Sequence, residues 1–134
     1  MRIGELAKRT GCDVETIRFY EKSGILEEPV RTASGYREYH SLHLERLQFI
    51  RHCRSLKIGL QDIRTLLDLQ ARPSAGCERV NALLDQHIAA IQSQMSALRT
   101  LETQLISLRR KCNDPHSVED CGILQDLADR VAQA

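Results

Sequence analysis

Apolar residues along this 134-residue chain follow two different rules, and the change of rule falls near Pro73. Before it they cluster at short helical spacings broken by Gly and Pro; after it they recur every seventh residue. Ile3, Leu6 and Ala7 make one face of a first short helix, and Thr10-Gly11-Cys12-Asp13 breaks it. Asp13 is placed to cap a second helix carrying Val14, Ile17 and Phe19-Tyr20, which Gly24 stops. Two short helices joined by a Gly-containing turn form a helix-turn-helix. Residues 27–39 hold Pro29, Ser34-Gly35 and Tyr36-Arg37-Glu38-Tyr39, aromatic and polar residues alternating after a Gly turn, which predicts a small hairpin or wing. A helix is expected from about Ser41 to Leu56, with Leu44, Leu47, Phe49-Ile50 and Cys53 as its apolar positions. Gly59 is expected to break it, and a shorter helix follows through Ile63, Leu66 and Leu67.

Beyond Pro73-Ser74-Ala75-Gly76, Cys77, Leu84, Ile91, Leu98 and Leu105 stand seven apart and Cys112 continues the series. Ile88 and Met95 supply a second seam position early, and Leu101 and Leu108 supply it later, one position earlier in the repeat. The period predicts one helix of about 34 residues that pairs as a two-stranded coiled coil. A helix buried within a monomer is the competing reading, but little remaining sequence is left to cover so long a stripe. The chain is therefore read as a homodimer.

Composition adds limits. With two Phe, three Tyr and no Trp, long aliphatic helices must do most of the burying. No apolar run reaches the roughly 18 residues a membrane span requires, and the first ten residues lack the apolar core of a signal peptide. A cytoplasmic protein with no membrane partner is expected. The formal charge of +1 conceals an asymmetry: residues 1–75 carry 13 Lys/Arg against 10 Asp/Glu, and residues 76–134 carry 6 against 8. A basic first part on an acidic second suits a nucleic-acid-binding head on a neutral-to-acidic body. No nucleophile–base pair, phosphate loop or open metal site with a water-activating carboxylate is evident, so an enzyme is disfavoured.

Five cysteines without an export signal argue against a disulfide framework and for metal or thiol chemistry. Cys77 and Cys112 are 35 residues apart, five heptads, and so share the coiled-coil face. At about 1.5 Å per residue they lie about 50 Å apart along one helix, too far for one ion within one chain. If two helices pair antiparallel, Cys77 of one subunit meets Cys112 of the other, giving two equivalent sites as two-fold symmetry requires. Cys121 lies nine residues past Cys112, across a polar loop able to fold back. Arg109, Arg110 and Lys111 precede Cys112, and a short helix with Ile123, Leu124, Leu127 and Val131 on one face begins just after Cys121. Nearby cations and a helix N-terminus both favour thiolates. Three thiolates suit Pb(II), Cd(II), Hg(II) or Zn(II) and suit Mg(II) or Ca(II) poorly. His116 in the loop and His87 beside the seam are candidate extra contacts. Cys12 and Cys53 are read as structural, and His40, His43 and His52 as surface or packing residues.

The opening IGELAKRTGCDVETIRFYEKSGIL, followed by GYREY, resembles the MerR family of winged helix-turn-helix regulators. LERLQFIRHCRSLKIGLQDIRTLLDL is similar to that family's second helical pair. CERVNALLDQHI and RRKCNDPHSVEDCGIL resemble the branch that senses lead, cadmium and zinc. The resemblance implies that Thr16, Arg18 and Tyr20 on the second helix meet double-stranded promoter DNA, and that Tyr36 and Arg37 in the wing hold its phosphate backbone. Arg and Tyr are common phosphate and base-edge contacts. It implies Cys77, with Cys112 and Cys121 of the other subunit, as metal ligands. Relatives sensing monovalent copper, silver or gold carry serine at the position of Cys77, so a divalent ion is implied, Pb(II) or Cd(II) first. Zinc-sensing relatives often add a second cysteine directly after the one matching Cys112; Asn113 stands there, against a two-ion zinc site. The resemblance further implies a repressor without metal that becomes an activator with it, by bending and untwisting promoter DNA so that RNA polymerase can open it.

The fold class expected is mainly α, with a winged helix-turn-helix head, a long antiparallel coiled-coil dimerisation helix, and a C-terminal metal-binding loop with a short helix. The division expected is 1–72 for the DNA-binding domain with its second helical pair, 76–111 for the coiled-coil helix, and 112–134 for the loop and last helix. The alternative from another class is a thiol redox-sensing regulator in which Cys112 and Cys121 form a disulfide, a device that needs no ion.

Overall fold

The computed structural model describes residues 1–115 and 117–129. Six α-helices and one two-stranded ribbon follow in the order α1 (Ile3–Thr10), α2 (Val14–Lys22), β1 (Val30–Arg31), β2 (Arg37–Glu38), α3 (Ser41–Ser55), α4 (Leu60–Gln70), α5 (Glu78–Arg109) and α6 (Gly122–Asp129). The chain divides into two compact units, Met1–Leu83 and Leu84–Ala134. Val131 and His116, both named from the sequence, lie outside the described residues. No helix among the described residues is long and apolar enough to cross a membrane.

In the first unit, α1 stops at Gly11, whose φ of 70° is costly for a residue with a Cβ. A Cβ there would also run into the Arg51 side chain, which reaches from α3 to hydrogen-bond the Thr10 carbonyl. The buried Thr10 hydroxyl donates back to the Leu6 carbonyl at 2.8 Å. Asp13 occupies the N-cap position of α2 with extended backbone, but its carboxylate makes no capping hydrogen bond. Gly24 (φ 79°) turns the chain out of α2, and the amides of Ile25 and Leu26 both return to the Tyr20 carbonyl. That return folds Ile25 and Leu26 under the helix pair, where both are buried.

The wing is an antiparallel pair with Val30 opposite Glu38 and Arg31 opposite Arg37. Its tip closes through Gly35 (φ 85°) and the hydrogen bond from the Tyr36 amide to the Thr32 hydroxyl. At the start of α3, His43 Nδ1 accepts the His40 amide at 3.0 Å, and the His43 ring meets Tyr39 edge-on at 5.4 Å. His43 is thus a packing residue at a helix start. The break after α3 differs from expectation. Lys57 carries the left-handed backbone (φ 64°), while Gly59 is extended and serves as the N-cap of α4. The Ile58 amide returns to the Cys53 carbonyl, which tucks the Ile58 side chain into the core.

One apolar core joins these pieces: Leu6, Ile17, Tyr20, Ile25, Leu26, Tyr39, Leu47, Ile50, Cys53, Ile58, Ile63 and Leu67. Helix α5 begins in the first unit and runs on through the second without a break, and none of its 32 residues is buried. Leu84, Ile88, Ile91, Met95, Leu98, Leu101 and Leu105 leave an exposed apolar row at the heptad positions.

Candidate functional site

On α2 the inward face is set by Ile17 and Tyr20, three residues apart. Tyr20 is 8% exposed and belongs to the core, where burial raises its hydroxyl pKa. Tyr20, expected on DNA, has its ring packed in the core beneath the helix. Arg18 is exposed and Thr16 half-buried, and exposed Phe19 stands beside Arg18.

In the wing, Tyr36 is exposed and the Arg2 guanidinium lies over its ring at 4.0 Å. Arg37, which sequence reading assigned to phosphate, is exposed and also pairs with a buried carboxylate. Its Nη1 donates to Glu21 Oε2 at 3.0 Å, with the arginine side chain 43% exposed and the glutamate 6%. Tyr39 donates its hydroxyl to the other oxygen of Glu21 at 2.5 Å. Burial, then the hydrogen bond to Glu21, hold the Tyr39 pKa up to about 12. Glu21 thus fastens the wing to α2, a role that sequence reading missed. The only signal was a carboxylate at α2 position 21, on the same stripe as Ile17.

At the other end of the chain, the structure brings two of the three expected thiols together. The Cys112 and Cys121 side chains lie close enough for each to shift the other's pKa. Cys121 ends a 3-10 turn, Val118–Asp120, and immediately precedes α6. Its sulfur receives the amides of Leu124 and Ile123, which lower its pKa, with the Cys112 thiol acting in the same sense. Cys112 is pushed up instead, by burial first and then by Cys121, against the opposing charge of Arg109. Arg109 pulls the Cys112 pKa down, as a cation beside a thiol should, but burial and Cys121 outweigh it. The Cys112 sulfur also lies 3.8 Å from the Asp114 carbonyl. Cys77 is exposed just ahead of α5, in the first unit. His87 is half-buried on α5. Among the described residues no three His, Cys, Asp or Glu side chains of one chain are gathered to hold an ion. Cys53 is a core residue whose thiol burial pushes up.

A helix-turn-helix with a wing, a second helical pair and a long helix define a winged helix-turn-helix regulator. The family model described as MerR HTH family regulatory protein matches residues 1–70, and that described as MerR, DNA binding, matches residues 44–108. The chain belongs to the MerR family. It is 44% identical over 111 residues to the HTH-type transcriptional regulator ZntR homolog of Haemophilus influenzae, covering 83% of this chain and 82% of that protein. It is similar in structure to the transcription regulator PbrR691 from Ralstonia metallidurans CH34, solved in complex with lead(II). That likeness has 50% identity and a TM-score of 0.86, and covers 95% of this chain and 98% of that one. The regulator MerR from Bacillus megaterium MB1, solved with mercury(II), is 31% identical with a TM-score of 0.74, covering 96% and 99% of the two chains.

Proposed function

We propose that this chain is a metal-responsive transcriptional regulator that binds promoter DNA as a homodimer and senses a soft divalent ion. The observation that carries the reading is the Cys112–Cys121 thiol pair, one member of which is held toward the thiolate by two amides of α6. Thiolate donors fit Pb(II) or Cd(II), and also Zn(II) or Hg(II), and fit hard ions poorly. The lead(II) and mercury(II) complexes of two similar chains support the same class of ion.

The third ligand is Cys77 of the partner subunit. Its support is the unbroken helix between the two cysteines of one chain, together with the exposed apolar row on that helix. Contiguous exposed apolar surface of this kind marks an interface, and antiparallel pairing joins Cys77 of the partner subunit to Cys112 and Cys121. Residues 1–72 then act as the DNA-binding part, 76–111 as the dimerisation helix and 112–134 as the sensing part. The bound ion supplies a cross-link between subunits. The chain's own share is to present paired thiols beside the start of the partner helix, so that drawing them together shifts the two heads on the promoter. RNA polymerase then acts on the reshaped DNA.

Arg18 is the base-reading candidate, with Thr16, Tyr36 and Arg37 on the DNA backbone; Tyr20 supports them from the core. His87 has no assigned part in the ligand set.

The test replaces each thiol in turn. Cys77→Ser, Cys112→Ser and Cys121→Ser each abolish Pb(II)- or Cd(II)-dependent transcription in vitro and leave operator binding within about twofold, since the ligands are remote in sequence from the DNA-contact candidates at 16–37. A Cys121→Ser protein that still activates fully removes the three-thiolate reading. A Cys77→Ser protein that responds normally to oxidant alone would favour the redox alternative, which uses only Cys112 and Cys121.

A further inference from the structure

The turn just past α5 and the start of α6 touch one residue outside each thiol. Gly122, next to Cys121, lies so close to Lys111, next to Cys112, that a Cβ on it would stand 2.7 Å from the Lys111 carbonyl oxygen. The obstacle is backbone, which cannot swing aside as a side chain can. The Lys111 ammonium in turn reaches Asp126, one turn into α6, at 2.6 Å, with the two side chains 38% and 21% exposed. Further bonds hold each strand of the closure. The Arg109 guanidinium donates to the Cys112 carbonyl at 2.5 Å, and the Asn113 amide group to the Arg110 carbonyl at 2.9 Å. On the other strand the Gln125 amide donates to the Cys121 carbonyl at 3.1 Å.

We infer that Gly122, Lys111 and Asp126 form a clip that holds the Cys112 and Cys121 thiols paired before any ion arrives. They are positioning residues: none of the three supplies a ligand, and each acts through the backbone that carries one. Gly122 is needed for close approach, since its backbone is ordinary helix and alanine would be the better helix former. The clip sets how much of the binding free energy is spent on closing the loop. The inference rests on the metal-sensing reading only for its consequence; the clip itself is a property of one metal-free chain.

Phenylarsine oxide isolates the pair. One molecule forms two As–S bonds with two thiols, and its oxygen leaves as water with both thiol protons, arsenic remaining trivalent. The full-length Cys77→Ser chain is titrated, with Cys112→Ser added as the blank. Adding Gly122→Ala is expected to weaken arsenical capture about tenfold, as overpacking against backbone does. Asp126→Asn and Lys111→Met each weaken it about two- to fivefold, the scale of a partly exposed ion pair. The double variant is no worse than either single, because both remove the same contact. Capture by Gly122→Ala within twofold of its parent, or strictly additive losses for Lys111 and Asp126, overturns the clip. Titrating the three-thiol chain with Pb(II) separates the two claims. If Gly122→Ala weakens both arsenical and Pb(II) binding, both stand. If arsenical capture falls while the parent chain takes up no Pb(II), the clip stands and the metal reading fails.

Discussion

Glu21 is buried with Tyr39 and Arg37 each donating to one of its oxygens. Tyr39→Phe keeps the ring in the core and removes one donor. It is expected to cost about 1–3 kcal/mol of stability, the usual penalty for leaving a buried acceptor short, read from urea unfolding. The same bond predicts an alkaline limit. The unfolded phenol titrates near 10.0 and the folded one near 12. The buried phenol's contribution, set by burial first and by the bond to Glu21 second, is therefore intact below pH 10 and is lost as pH rises toward 12. Tyr39→Phe should flatten that part of the stability profile; an unchanged alkaline slope would assign the loss to other groups.

Arg18 and Arg37 look alike in sequence and part company in the structure. Arg18 is exposed and free of any ion pair among the described residues, whereas Arg37 holds Glu21. Arg18→Ala should lose about 1–3 kcal/mol of discrimination between operator and random DNA, while Arg37→Ala should weaken both alike and lower the salt slope by about one. Arg37→Ala should also lower the melting temperature, which Arg18→Ala should not. Anisotropy titrations across a salt series check this; equal losses on both DNAs for Arg18 would restrict it to phosphate.

At the scale of elements, period and punctuation were enough for most of the chain. Helical spacing of Ile3, Leu6 and Ala7, the turn at Gly11 and the alternation through Tyr36–Tyr39 all announce what the structure contains. The errors came where three-dimensional packing outranks local preference. Lys57 takes the left-handed turn that Gly59 would take more easily, because Ile58 must reach the core. Tyr20 falls in helical phase with Ile17 and is buried with it. For α5 the heptad row is legible in sequence and stands exposed in the structure, Leu98 being 64% exposed near its middle. Leu98→Lys is expected to turn the dimer into monomer in sedimentation equilibrium, since it puts an unpaired charge into the apolar seam. A dimer of undiminished affinity would mean that another surface pairs the chains.

For the whole molecule, the proposed sensing thiols are legible as a register: Cys77 and Cys112 are five heptads apart, and Cys121 follows nine residues on. That Cys112 and Cys121 meet is a finding of the structure. The contact that closes them, Gly122 against the Lys111 carbonyl, had no signal in the sequence, because a glycine after a cysteine reads only as a helix start. The charge asymmetry, by contrast, was a weak guide; the head is recognised by its helices and wing.

The central claim is that each metal site is completed across the dimer. A Cys77→Ser chain mixed with a Cys112→Ser/Cys121→Ser chain tests it most directly. In the heterodimer one end carries all three thiols and the other none, while neither homodimer carries a complete site. Pb(II) titration followed by sulfur-to-metal absorption should then show about one tight ion per heterodimer and no comparable binding in either parent. Mixed dimers that bind no better than the parents would contradict the shared site.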